Sequence, residues 1–157
     1  MNQVLKCTVA ILIPLIVGGI SGFFTTQSVQ GWYATVNKPW FNPPNWIFGP
    51  VWTTLYIMMG VAFFLIWKKE ADVDIKKQAI LFYFIQLALN FCWSLIFFYA
   101  QQPGWAFLEI IVMWGMILST IIWFGKISYP AAWLLVPYIF WVSFAAILNY
   151  SIWRLNV

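Results

Sequence analysis

The chain has 157 residues, of which 64% are hydrophobic, 22% aromatic and only 8% charged, with a formal net charge of +4. A water-soluble domain carries roughly a quarter charged residues, so this composition excludes an ordinary soluble globule. The few dispersed cations exclude a nucleic-acid partner, which needs a clustered basic face. There is no histidine, and with it go the commonest catalytic base, the commonest metal ligand and the usual haem axial ligand.

Apolar runs near 20 residues are long enough to cross a bilayer as helices, and the chain holds five of them. The first is predicted over 4–25. It exceeds a signal-peptide apolar core and lacks a small-residue cleavage site, so it reads as an uncleaved span. Gly18, Ser21 and Gly22 form a small-residue face in it, suited to close packing within the bundle or to a homodimer seam. Cys7 here, and Cys92 later, lie in apolar runs without paired spacing and read as small apolar filler.

Between residues 27 and 45 the sequence predicts a long loop without regular structure. Pro39, Pro43 and Pro44 forbid a helix there, and such lengths are typical of lids and binding loops. Lys38 in this loop is either solvated or meets an anionic group on a ligand. The second helix is predicted over 46–67, with Pro50 tolerated in its opening turn. The charged run from Lys68 to Lys77 reads as a solvated turn.

The third helix is predicted over 78–100 and ends at Gln101-Gln102-Pro103-Gly104. The fourth covers 105–124, with Glu109 one turn in, where a carboxylate is favoured and is either structural, the preferred reading, or proton-handling. The fifth covers 130–153, where Pro137 kinks the helix and frees the carbonyl of Trp133. The expectation is an all-α integral membrane bundle of five helices forming a single domain, 1–157. Lys6, Lys68, Lys69, Lys76, Lys77 and Lys126 fall on one side and only Lys38 and Arg154 on the other. By the positive-inside rule the N-terminus is cytoplasmic, and the loop and C-terminus are outside.

Polar groups in hydrocarbon should face the bundle interior or a cavity. Steps of three and four place Tyr83, Gln86, Asn90, Trp93 and Phe97 on one face, Tyr138, Trp141, Ala145 and Asn149 on another, and Phe48, Trp52, Tyr56 and Gly60 on a third. These stripes either pack the core or converge as a pocket beneath the loop. At 1.5 Å per residue Trp52 lies roughly 8 Å below the helix ends, and Asn90 and Trp141 about 15–18 Å below. Leu148, Tyr150 and Arg154 fit a weak sterol-contact pattern that an interfacial aromatic belt explains equally well. No catalytic triad, phosphate-cradling glycine loop or carboxylate cluster is present, so no metal site and no conventional hydrolase or transferase chemistry is expected.

The string WYATVNKPWFNPPNWIFGPVWTTLY at 32–56, with QLALN at 86–90, Gly104-Trp105, PYIFW at 137–141 and Leu148-Asn149-Tyr150, resembles the TspO/MBR family over essentially the whole chain. That family includes tryptophan-rich sensory proteins and the mitochondrial translocator protein, formerly the peripheral-type benzodiazepine receptor. The resemblance implies a five-helix bundle, commonly a homodimer, that binds tetrapyrroles such as protoporphyrin IX and isoquinoline carboxamide ligands. In animal members it also implies cholesterol, so a sterol is a further candidate partner. The family's pocket motifs carry over onto Trp32, Tyr33, Pro39, Phe48, Trp52, Asn90, Trp93, Trp105, Trp141, Ala145 and Leu148.

Some bacterial relatives are described as degrading protoporphyrin in light and oxygen, which makes Trp52 and Trp141 the catalytic candidates. The porphyrin is expected as a ligand, with no cofactor required. The chain closes at Val157 without an animal-type tail, a departure that points to a bacterial cell membrane and away from cholesterol as natural ligand. The expected function is a membrane tetrapyrrole-binding sensory or regulatory protein, with Asn90 giving one orienting hydrogen bond. The alternatives are photo-oxidative porphyrin degradation and porphyrin or sterol transport, the last without an inverted repeat in its support.

Overall fold

Asn2 begins the helical structure: its side chain accepts the Leu5 N–H at 2.8 Å and caps helix α1 (Gln3–Gln30). The computed structural model describes residues 2–157, and no strand occurs among them. After α1 come a single turn α2 (Trp32–Thr35), a 3-10 turn (Asn45–Ile47) and α3 (Phe48–Lys68). The chain continues through α4 (Val73–Ser94), a π-helical turn (Leu95–Tyr99), α5 (Pro103–Gly125), α6 (Tyr129–Leu134) and α7 (Val136–Leu155). Five stretches among the described residues are long and apolar enough to span a bilayer: Gln3–Gln30, Asn45–Lys68, Val73–Tyr99, Pro103–Gly125 and Tyr129–Leu155.

The boundaries differ from expectation in three places. Helix α1 does not stop at Thr25, because the Thr25 and Thr26 hydroxyls bond back to the Ser21 and Gly22 carbonyls at 2.9 and 2.8 Å. Their polarity is thereby satisfied inside the helix. With α2 adding another turn, the irregular part of the expected loop shrinks to residues 36–44.

The charged run is mostly helix. Asp72 caps α4 by accepting the Asp74 and Ile75 N–H groups at 3.0 and 3.1 Å. Lys76 reaches back to the Trp67 and Lys69 carbonyls at 3.0 and 2.8 Å and closes the end of α3. At Pro137 the fifth span is interrupted rather than merely bent. Leu135 (φ −91°, ψ −8°) separates α6 from α7, as a residue without an N–H opposite the Trp133 carbonyl requires.

Packing follows the small residues. Helix α1 lies along α3, α4 along α5, α5 against α6 and α7, and α3 against α6. Pro14 leaves the Ala10 carbonyl without its helical partner, and Gly60 of α3 packs onto that spot: a Cβ there would sit 2.9 Å from the Ala10 oxygen and 2.5 Å from the Ile11 Cα. Gly18 of the small-residue face meets the Tyr56 ring, so this part of the face serves packing within the chain.

Asn37 donates its backbone N–H to Asn156 Oδ1 at 2.9 Å, and Asn156 Nδ2 donates to the Asn37 carbonyl at 2.9 Å. The α1–α3 connection, hereafter the lid, is thus tied to the end of α7.

Candidate functional site

The step of four along α3 turns Phe48, Trp52 and Tyr56 to one side, and Trp52 stacks on Tyr56 with ring centroids 5.6 Å apart at 28°. On α7 the corresponding face carries Trp141, Ala145, Leu148 and Asn149. Trp141 meets Phe48 edge-on at 6.1 Å and Phe144 at 5.5 Å. From α4 and its π turn come Trp93 and Phe97, stacked at 5.3 Å. These faces, closed by α1 and by Tyr33 from α2, bound a cavity of about 630 Å³.

Seven of the eleven sequence-derived positions line it: Tyr33, Phe48, Trp52, Trp93, Trp141, Ala145 and Leu148. The other four are elsewhere, each for a physical reason. Asn90 is buried outside the wall and its amide is already used. Its Oδ1 accepts from Tyr56 Oη at 2.6 Å, and its Nδ2 donates to Tyr138 Oη at 3.0 Å. Tyr138 Oη in turn donates to Gln86 Oε1 at 2.9 Å. The expected orienting bond from Asn90 to a guest is therefore replaced by a bond that holds the wall residue Tyr56.

Trp32 packs edge-on behind the wall against Phe97 at 5.7 Å. Pro39 sits in a lid turn closed by the Asn42 N–H to its carbonyl at 3.0 Å. Trp105 is 68% exposed at the start of α5, a helix that contributes nothing to the wall. Of the sterol pattern, Leu148 faces the cavity, while Tyr150 packs outward against Phe107 and Trp153, and Arg154 is exposed. Leu148 and Tyr150 thus have no common face.

The wall from α1 was not among the predicted site residues. It includes Leu15, Gly18, Ser21, Gly22, Thr25 and Val29. The signal for it was the Gly18–Ser21–Gly22 spacing, which marks a close approach without saying whether another side chain or a void fills it.

Two polar groups on the wall lack partners. Trp141 Nε1 and Ser21 Oγ are both buried and neither makes a hydrogen bond of good geometry, although Ser21 Oγ lies beside the Tyr56 hydroxyl. Asn149, also on the wall, is held at both ends: its Oδ1 accepts from Trp93 Nε1 at 3.0 Å and its Nδ2 donates to the Pro103 carbonyl at 2.7 Å.

In the lid, Tyr33 donates to Asn42 Oδ1 at 2.8 Å. Burial pushes its phenol up to about 12, only partly offset by that bond, so it is a neutral donor. Lys38 Nζ lies 4.8 Å over the Tyr33 ring and donates to the Val36 carbonyl at 3.2 Å. Glu109, on α5 and off the wall, has both carboxyl oxygens buried without a partner. Among the described residues no group of three potential metal ligands forms.

The cavity thus offers aromatic faces, with an unpartnered donor-only indole N–H and a serine hydroxyl set into its wall.

Comparison with known proteins agrees in extent with this architecture. The profile of the TspO/MBR family matches residues 10–154. The chain is 42% identical to the tryptophan-rich protein TspO of Archaeoglobus fulgidus, over 98% of this chain and 99% of that one. It is 44% identical to the translocator protein of Ovis aries (86% and 83%), and 38% identical to the tryptophan-rich sensory protein of Cereibacter sphaeroides (80% and 77%). A family profile spanning nearly the whole chain and a 42% identical relative matched end to end make this integral, multi-pass membrane protein a member of the TspO/MBR family.

Proposed function

We propose that this protein binds a metal-free tetrapyrrole, protoporphyrin IX, in the cavity between α1, α3 and α7, and that occupancy is what its membrane sensory role reads. The observation that carries the reading is the unpartnered Trp141 indole N–H in a wall of aromatic faces. A buried donor without a partner costs about 1–3 kcal/mol, and a guest with an acceptor on its edge recovers it. Ring stacking on Trp52 or Trp141 adds about 0.5–1.5 kcal/mol per pair beyond area burial. The cavity volume falls within the roughly 300–1,000 Å³ usual for small-molecule sites. The amide carbonyl of an isoquinoline carboxamide meets the same requirement. The proposed orientation puts the N-terminus in the cytoplasm, on the distribution of lysines.

Titrating detergent-purified protein with protoporphyrin IX, followed by tryptophan quenching, tests this. Saturable quenching is expected, several-fold weaker in Trp141→Phe, which keeps a ring and loses the donor. Haem should bind no more tightly, because a chain without histidine lacks the usual iron ligand. Quenching that never saturates, or that Trp141→Phe leaves unchanged, would sink the reading.

A second reading is favoured by the Trp52–Tyr56 stack. An excited bound porphyrin takes an electron from Trp52 or Trp141, molecular oxygen adds to the porphyrin anion radical so formed, and that adduct returns one electron to the tryptophan cation radical, leaving a neutral dioxygen adduct of the porphyrin whose ring then opens. Illuminating porphyrin-loaded wild type and Trp141→Phe separates the readings, since equal bleaching in both leaves binding alone.

A further inference from the structure

The cavity has a second boundary besides the lid. On α1 the wall residues Gly19, Thr26 and Gln30 are exposed, and on the facing edge of the next span so are Trp46, Gly49 and Thr53. Residues that both line a cavity and meet the surroundings mark its mouth. Helices α1 and α3 are neighbours, so this mouth is a slot between two membrane spans.

The slot has a sharp lower edge. At Gly18 the Tyr56 ring closes the seam, and further down Gly60 brings the two backbones together. Above Gly18 the seam opens: a Cβ added at Gly19, Gly22 or Gly49 meets nothing within 4 Å. From Gly18 to Gln30 the slot runs about 18 Å along the helix.

The hydroxyls on its edges face inward to their own helices. Thr26 bonds to the Gly22 carbonyl and Thr53 to the Gly49 carbonyl, at 2.8 and 2.9 Å, which satisfies their polarity within the helices. The axial route, by contrast, is covered over most of the lid, with Asn45 beside Trp46 the exposed wall residue there. Tyr33 is 2% exposed and bonded to Asn42, Phe41 packs on Phe144 at 6.4 Å, and the paired Asn37–Asn156 bonds tie the lid to α7.

We infer that the cavity loads sideways: a flat apolar molecule dissolved in the lid-side leaflet passes between α1 and α3 through this slot, above Gly18, while the lid stays clamped. The inference rests on the shape of the cavity and not on which guest occupies it.

Photolabelling in proteoliposomes tests it without a porphyrin, with labelled residues read by mass spectrometry. One arm uses a lipid-soluble aryl diazirine, the other a water-soluble charged diazirine. The lipid-soluble reagent is expected on the wall residues Ser21 and Trp52 as well as on the exposed α1 residues Ile16 and Phe23. The charged reagent is expected on Trp40 of the lid and not on the wall.

Gly49→Phe fills the mouth. It should lower the wall labels several-fold while Ile16 and Phe23 keep theirs, and Gly22→Phe should repeat the effect from the α1 side. Gly115→Phe on α5, where an added Cβ also meets open space, should change nothing. Wall residues that the lipid-soluble reagent never reaches, that the charged reagent labels equally, or that stay labelled in both plugged variants would overturn lateral loading. Because neither reagent is a tetrapyrrole, a failure of porphyrin binding and a failure of the slot are separate results.

Discussion

The Tyr56 ring occupies the space that a side chain at Gly18 would need, and the same Tyr56 hydroxyl is anchored on Asn90 at 2.6 Å. Two helices and a buried amide are therefore joined through one ring at the edge of the cavity. Gly18→Val must displace that ring or push α1 away, and overpacking of this kind costs about 1–3 kcal/mol. Thermal unfolding in detergent should show a clearly lowered midpoint for Gly18→Val and a near-normal one for Gly19→Ala, whose added methyl meets open space. Equal midpoints would mean that the seam is not close-packed.

Removing the amide acts through the same ring. Asn90→Ala takes the acceptor from the buried Tyr56 hydroxyl, at about 1–3 kcal/mol for a group left unsatisfied, and removes one donor from the Tyr138 hydroxyl, which keeps its bond to Gln86. The midpoint should fall more than for Trp105→Ala, whose side chain is exposed. If Asn90→Ala instead kept its midpoint and lost only protoporphyrin affinity, the amide would be a guest contact after all.

How far the sequence showed this site depends on what periodicity encodes. A step of four fixes which residues share a face, so Phe48, Trp52 and Tyr56 could be placed together from spacing alone. It does not fix how deep a face lies or what meets it, and Asn90, on a correctly read stripe, belongs to a network whose partners come from α3 and α7. The α1 wall was harder to read still, because glycine and serine give the same pattern whether they border a ring or a void. One of the three boundary differences comes from the missing N–H of Pro137, and the other two from side-chain bonds to the backbone, at Thr25, Thr26 and Asp72. Polarity suggests solvent at such places, whereas local geometry makes helix.

Two tryptophans on the wall should separate stability from binding. Trp93 spends its N–H on Asn149 at 3.0 Å, whereas Trp141 spends its own on nothing. Trp93→Phe strands the Asn149 oxygen and should lower the unfolding midpoint in the absence of guest. Trp141→Phe should leave that midpoint unchanged or raise it slightly, since it removes an unsatisfied buried donor. With protoporphyrin IX present, the thermal stabilisation should shrink mainly in Trp141→Phe.

Asn156 holds the lid by two reciprocal bonds to Asn37 and also caps its own helix through the Ile152 carbonyl at 2.7 Å. Asn156→Ala should free the lid while the cavity wall keeps its shape. Limited proteolysis within residues 36–44 should accelerate several-fold, with the helical circular dichroism retained. Unchanged cleavage would show that Phe41 and Tyr33 suffice to hold the lid.

Tyr33 gives the lid a pH limit whose sign can be worked out. Its phenol titrates near 10 when exposed and is pushed up to about 12 by burial in the folded lid. The neutral form is therefore the one the fold favours. Its contribution is complete below pH 10 and is lost as pH rises from 10 through about 12, when the unfolded lid releases the proton first. Lysines titrate in the same window, so the useful quantity is the difference from Tyr33→Phe, which cannot ionise and also gives up the bond to Asn42. Lid proteolysis in the wild type should accelerate across this interval, whereas in Tyr33→Phe it should start faster and vary less with pH. Parallel pH profiles would show that the phenol is not what the lid closes on.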